Sequence, residues 1–350
     1  VERNGPTEKP ANVTWPPVAA APSPPKTASN PSSGAKTEPA KPLEAVEVPL
    51  SNALLQDVRV LSPEWLCLVF DSTSAAYDLF EEDETARREL TLAKQQFEDG
   101  SRAWYQGLAQ KHLFLAASAK VRMGLMPKFE NPAGWQVGGQ KPAAATFFPV
   151  TVDGFPSHGP DFSTQMATSA SRIAECVYLQ LEKSLTEGEV TSIEHADGLK
   201  SQLKFDSASS VSWGLKVNQA GYLPNAQKIA YLGMWAGFSG SVDYSAFDGK
   251  PFQIRRYEAG DTWRQGTAAG DPVFEGTTRF RTKAANQKTR DTQITGEDVW
   301  ELDFSGLATP GRYCVHAPGL GRSWPFEIGE GAYGEAFYHA SRALFHQRGS

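Results

Sequence analysis

The chain has 350 residues, of which 40% are hydrophobic, and a formal net charge of −6 at pH 7. That length suits roughly two or three domains. The mild acidity argues against a nucleic-acid partner, which favours clustered Lys and Arg, and no apolar run reaches the about 18 residues that a helical membrane span needs.

Residues 1–52 are rich in Pro, Ala, Ser, Thr and Lys, with Pro16, Pro17, Pro22, Pro24, Pro25, Pro31, Pro39 and Pro42 among few large apolar side chains. Such a composition buries too little surface to offset chain entropy, so an extended linker is expected here. The first residue is Val, and no basic-then-apolar leader precedes it. We therefore expect a processed, exported protein of bacterial type, secreted, periplasmic or at the cell surface.

From 53 to 212 the sequence predicts a β-sandwich. Strands are expected at Val58–Leu61, Trp65–Phe70, Thr146–Val152, Cys176–Leu181 and Val190–Glu194, with turns at Asp153-Gly154, Glu187-Gly188 and Asp197-Gly198. A charged, amphipathic stretch from about 81 to 123 interrupts this pattern and reads as a helical insertion broken near Asp99-Gly100. It carries Trp104 and Tyr105. Aromatic rings stack on sugar faces, so these two are candidate sugar contacts, although aromatics at helical spacing more commonly fill a core.

Cysteine is sparse: Cys67, Cys176 and Cys314. A bridge between Cys67 and Cys176 would suit an exported sandwich, but strand cysteines are more often simply buried small apolar side chains. No Cys/His cluster has zinc spacing.

The third region, 213–330, alternates again. Val217-Asn218-Gln219-Ala220-Gly221-Tyr222 reads as a half-buried strand followed by a turn at Leu223-Pro224-Asn225, and Lys228–Leu232 is the next apolar run. Thr309-Pro310-Gly311 supplies a turn into the strand Arg312–His316, and Gly321–Ile328 closes the region. The period then changes. Tyr333–Arg348 places Phe337, Ala340, Leu344 and Phe345 on one side of a helix, over the segment 331–350.

Taken in order, these segments resemble the N-terminal immunoglobulin-like module of glycoside hydrolase family 9, the inverting β-glucanases, followed by the first helix of their (α/α)6 barrel. The fold class expected is accordingly mainly β: two tandem immunoglobulin-like β-sandwich domains, the first with a helical insertion, then the start of a truncated helical barrel. The resemblance implies hydrolysis of β-1,4-glucosidic bonds in a β-glucan by the intact enzyme. It also implies calcium in the catalytic barrel, no cofactor in this chain, and a barrel that packs on the module and on the 333–348 helix.

Inversion requires two carboxyl groups, one acid and one base, about 6.5–9.5 Å apart. The resemblance places the base in an Asp-Ala-Gly-Asp motif of the barrel. Two echoes occur, Glu258-Ala259-Gly260-Asp261 and Ala268-Ala269-Gly270-Asp271, but both precede the helix and both read as hairpin turns. We therefore assign no catalytic or metal-binding residue within the chain. Among the tryptophans, Trp300 and Trp324 read as packing. Trp263, in the turn-rich text Asp261-Thr262-Trp263-Arg264, is a third candidate sugar contact. The alternative to a glucan hydrolase portion is a free-standing β-sandwich protein that binds carbohydrate or a cell-surface partner, and an exposed row of Trp or Tyr on one sheet would favour it.

Overall fold

A computed structural model describes residues 46–82, 117–154, 171–261, 266–286, 288–289, 292–293 and 295–347. All of these lie within one compact unit, Leu43–Ser350.

The N-terminal part builds a four-stranded antiparallel sheet from β1 (Leu54–Ser62), β2 (Trp65–Asp71), β4 (Ala144–Gly154) and β5 (Ser171–Gln180), in the order β1-β2-β5-β4. A smaller sheet joins β3 (Trp135–Val137), β6 (Val190–His195) and β7 (Lys200–Lys204), in the order β3-β6-β7. Strand pleating sends Leu66, Leu68, Phe70, Val177 and Leu179 to one face of the larger sheet. There they share a core with Trp135, Val137 and Ile193 of the smaller sheet.

Helix α1 (Thr73–Glu82) leaves β2 directly, and helix α2 spans 117–129. Ala75, Ala76, Val121, Leu125 and Phe129 from these helices enter the same core. Helix therefore begins eight residues earlier than the charged pattern suggests and ends six residues later. The early start is a capping effect: Asp71 Oδ1 accepts the Thr73 N–H at 2.9 Å, and the Ser72 carbonyl accepts the Ala76 N–H. Glu175, buried on β5, anchors the same turn by accepting the Ser72 hydroxyl at 2.8 Å and the Ser72 N–H at 3.1 Å. Burial pushes the Glu175 carboxyl up, opposed by the Ser72 hydrogen bonds and by Arg122.

The C-terminal part has two facing sheets. One contains β10 (Pro251–Glu258), β11 (Thr267–Thr277), β16 (Gly311–Ala317), β17 (Gly321–Arg322) and β18 (Phe326–Ile328). The other runs β12-β15-β9-β8, from β12 (Arg279–Thr282), β15 (Val299–Asp303), β9 (Ile229–Leu232) and β8 (Leu215–Lys216). A short hairpin of β13 (Lys288–Thr289) and β14 (Thr292–Gln293) stands apart. Phe252, Ile254, Tyr313 and Val315 from the first sheet meet Leu232, Trp300 and Leu302 from the second, as an immunoglobulin-like sandwich requires. Helix α3 (Gly334–Gln347) ends the described chain.

Besides its own core, the N-terminal part shares a second one with the C-terminal sandwich. The second face of the larger N-terminal sheet, with Leu61, Cys67, Val69, Ala174, Cys176 and Tyr178, belongs to the same apolar cluster as the C-terminal sandwich. Polar contacts edge this seam. Ser212 Oγ and Tyr244 Oη both donate to the Leu61 carbonyl, and the Trp213 N–H donates to that of Val60. The Arg59 guanidinium lies 3.8 Å from the centre of the Trp213 ring, a cation–π contact.

Two local expectations are corrected. Val217–Tyr222 is not a strand beyond Lys216 but a turn closed on Asn218, whose Oδ1 accepts the Ala220 N–H and whose carbonyl accepts the Gly221 N–H. A side chain able to bond its own downstream backbone competes with a sheet ladder. Gly270-Asp271 does not join two strands. It lies inside β11 where the register against β10 shifts, with Gly270 at φ 65°, a β-bulge.

Candidate functional site

The feature with functional bearing is the junction between the immunoglobulin-like sandwich and α3. It is built on the Asn218 turn. The Tyr222 N–H donates to the Glu327 carbonyl at 2.8 Å, and the Gly329 N–H returns to the Tyr222 carbonyl at 3.0 Å, which ties the turn to β18. Asn218 Nδ2 donates to the Gly221 carbonyl at 2.9 Å and to Tyr333 Oη at 3.1 Å, one residue before α3 begins. Tyr222 Oη accepts the Asn218 N–H and donates to the Ile229 carbonyl, and burial raises its phenol above the usual range.

Gly221 is required by this geometry. Its φ is 100°, and a Cβ there would lie 2.7 Å from the Glu327 carbonyl oxygen and 3.1 Å from the Ala332 Cβ. A cleft of about 510 Å3 opens beside the junction, lined by Gln219, Arg312, Phe326, Glu327, Glu335 and His339 among others. Within it Glu335 and His339 stand one helical turn apart, 3.8 Å between carboxylate and ring nitrogen.

Helix α3 itself projects into solvent. Phe337 is 74% exposed, Leu344 65% and Phe345 72%, and Tyr338 is exposed as well. These residues include the apolar side expected from the sequence. Together they form an exposed cluster of large apolar side chains on one helix. What the junction offers is mechanical: it fixes the direction and the azimuth of α3.

Of the sequence-predicted contacts, Trp104, Tyr105 and Trp263 lie outside the described residues. Trp300 is buried in the sandwich, and Trp324 packs edge-on against Trp213 at 5.7 Å between ring centres. Glu258, Asp261 and Asp271 are exposed side chains of strand ends, loop and bulge. Among the described residues no group of three or more His, Cys, Asp or Glu is placed to hold a metal ion. Sequence reasoning missed the bond from Asn218 to Tyr333, which links positions 115 apart in the chain. It also missed the packing of Cys67 and Cys176 beneath the C-terminal sandwich, because the continuous apolar runs of β2 and β5 do not tell their two faces apart.

Residues 212–322 match the family model described as the cellulase N-terminal immunoglobulin-like domain. No curated protein matches the chain. Among solved structures, a metagenome-derived glycoside hydrolase family 9 endoglucanase is 29% identical over 33% of this chain and 18% of its own, with a TM-score of 0.23. A glycoside hydrolase family 9 protein of Bacteroides ovatus is 22% identical over 38% of this chain and 19% of its own, with a TM-score of 0.26. An endoglucanase of Alicyclobacillus acidocaldarius is 20% identical over 34% of this chain and 15% of its own, with a TM-score of 0.21. The chain thus spans less than a fifth of each of these proteins. With superpositions so partial, the identification rests on the family model. The immunoglobulin-like part of the chain, residues 212–322, is thus similar to the cellulase N-terminal immunoglobulin-like domain.

Proposed function

We propose that the chain is the N-terminal accessory portion of a secreted, inverting β-1,4-glucan hydrolase of the cellulase type. In this reading the N-terminal sheets form a second β-sandwich in tandem with the immunoglobulin-like module, and α3 is the first helix of the catalytic (α/α)6 barrel. The module braces that barrel, and the apolar side of α3 is covered by it. The observation that carries the reading is the order of parts: the match to the cellulase module ends at 322, and within a dozen residues the chain enters a helix whose Phe337, Leu344 and Phe345 are exposed.

A stand-alone carbohydrate-binding protein has less support. Tyr231 and Phe280 are exposed on the β12-β15-β9-β8 sheet, but Arg281 lies over the Tyr231 ring at 5.8 Å and Lys283 over that of Phe280 at 5.6 Å. Cationic caps occupy faces that a sugar would need.

The test compares the product of the complete natural reading frame with the 350-residue chain on a soluble β-glucan. Reducing sugar of inverted anomeric configuration from the complete product, and none from the 350 residues, is the expected result. A complete product that releases no sugar, or releases it with retention, overturns the proposal.

A further inference from the structure

We propose that Cys67 and Cys176 are a reversible dithiol–disulfide pair, a redox modification site set in the seam between the two parts of the chain. The strands β2 and β5 are the two central strands of their sheet, and their register pairs Cys67 with Tyr178 and Val69 with Cys176. The two cysteines therefore share one face, one diagonal step apart. Both are buried, at 2% and 3% exposure, in the same apolar cluster. Their thiols lie within hydrogen-bonding reach of each other.

The surroundings couple the two sulfurs. Cys176 is held below the usual thiol range by the hydrogen bond from Cys67, against the effect of burial and with help from the Arg59 guanidinium. Cys67 is pushed well up by that same hydrogen bond and by burial. Arg59 sits directly opposite Cys67 on β1. The two thiols are thus coupled, and the Arg59 charge favours the thiolate of either.

The exchange balances with a small-molecule disulfide as oxidant. The Cys176 thiolate attacks one sulfur of that disulfide and releases one thiol. Cys67, on losing its proton, attacks the Cys176 sulfur and releases the second thiol. Two protein S–H bonds are lost, one S–S bond forms, and the external disulfide is reduced to two thiols that carry the protons away.

Geometry makes the product labile. Diagonal neighbours in an antiparallel sheet have Cα atoms about 7–8 Å apart, whereas a relaxed disulfide spans about 4.4–6.8 Å. That offset runs along the paired strands, so closure slides β2 against β5 until the Cα atoms come within range, and a strained bridge is more readily reduced than a structural one. Cys314 takes no part. It lies in the C-terminal sandwich, beside Tyr257 and Ala268, with burial pushing its thiol up to about 12.

The experiment is a count of thiols on the full chain. The chain is equilibrated with oxidised glutathione, both folded and during refolding from denaturant, then unfolded and capped with N-ethylmaleimide. One adduct, on Cys314, with a Cys67–Cys176 peptide crosslink that excess dithiothreitol removes, is the expected result in the refolding arm at least, since burial slows the folded arm. Three adducts in both arms, or glutathione left on either cysteine without a crosslink, overturns the proposal. C67S supplies a check that does not depend on yield: it must show no internal crosslink, and a persistent one would place the bridge elsewhere.

Discussion

Tyr244 donates its phenol hydroxyl to the main-chain carbonyl of Leu61 at 2.9 Å, across 183 residues of sequence. The ring is fully buried and the hydroxyl is pushed well above its ordinary range by burial. Ser212 Oγ donates to the same carbonyl at 3.1 Å, so losing the phenol leaves Leu61 with a partner. Tyr244→Phe is expected to cost about 1 kcal/mol. Gly214→Ala is expected to cost more, because its Cβ would meet Tyr244 Oη at 2.2 Å. Urea denaturation of both variants checks the order; equal stabilities would show that the seam tolerates the displaced ring.

Lys228 is a second buried polar group with a structural task. Its ammonium donates to the carbonyls of Pro224 and Ala226, each at 2.7 Å, and more distantly to Leu223. The side chain replaces the missing partners of a tight turn just before β9. Lys228→Met is expected to destabilise by about 2–4 kcal/mol, because buried carbonyls lose charge-assisted donors. A thermal melt reads this, and Lys228→Arg should recover part of the loss.

The chain should weaken in mild acid. Burial holds the His316 ring at about 4, with Arg255 lowering it further and Asp206 opposing. Ser207 Oγ and Gln253 Oε1 lie 3.3 and 3.4 Å from its two ring nitrogens. Burial lowers His195 also. A base whose folded value lies below its unfolded value adds stability that is fully present above about pH 6.5. That stability is lost as the pH falls from there toward about 4, with His316 contributing at most about 3 kcal/mol. Denaturation midpoints at pH 7 and pH 4.5 measure the loss, and His316→Gln should flatten the profile over that window.

Helix α3 should be replaceable on its apolar side without harm to the fold. Phe337 and Phe345 touch water more than protein, so Phe337→Ser with Phe345→Ser is expected to change stability by less than about 0.5 kcal/mol. The same pair should reduce binding of a hydrophobic dye and self-association in light scattering. A large loss of stability would mean that these rings are covered within the chain itself.

Much of this architecture was legible. The Trp65–Phe70 and Cys176–Leu181 runs are continuous rather than alternating, as expected for strands buried on both faces. The same continuity hid the seam: nothing in Leu66-Cys67-Leu68-Val69 says which face meets the helices and which meets the sandwich. Local rules failed where a side chain bonded its own backbone. Asn218 turned an alternating stretch into a loop, and Asp71 started a helix inside text that carried no amphipathic charge. The junction at Tyr333 was legible as a change of period, but its fastening to Asn218 depends on contacts between distant residues.

That fastening sets a rotational phase. Successive residues of an α-helix advance by about 100° around its axis, and α3 begins one residue after the Tyr333 hydroxyl that Asn218 holds. Adding or removing a single residue between Tyr333 and Phe337 would therefore swing the apolar side of the helix by more than a quarter-turn relative to the sandwich, with every contact inside the sandwich unchanged. Any surface that came to rest on Phe337, Leu344 and Phe345 would be indexed to the immunoglobulin-like module through that one short step, much as a key is cut relative to its shoulder.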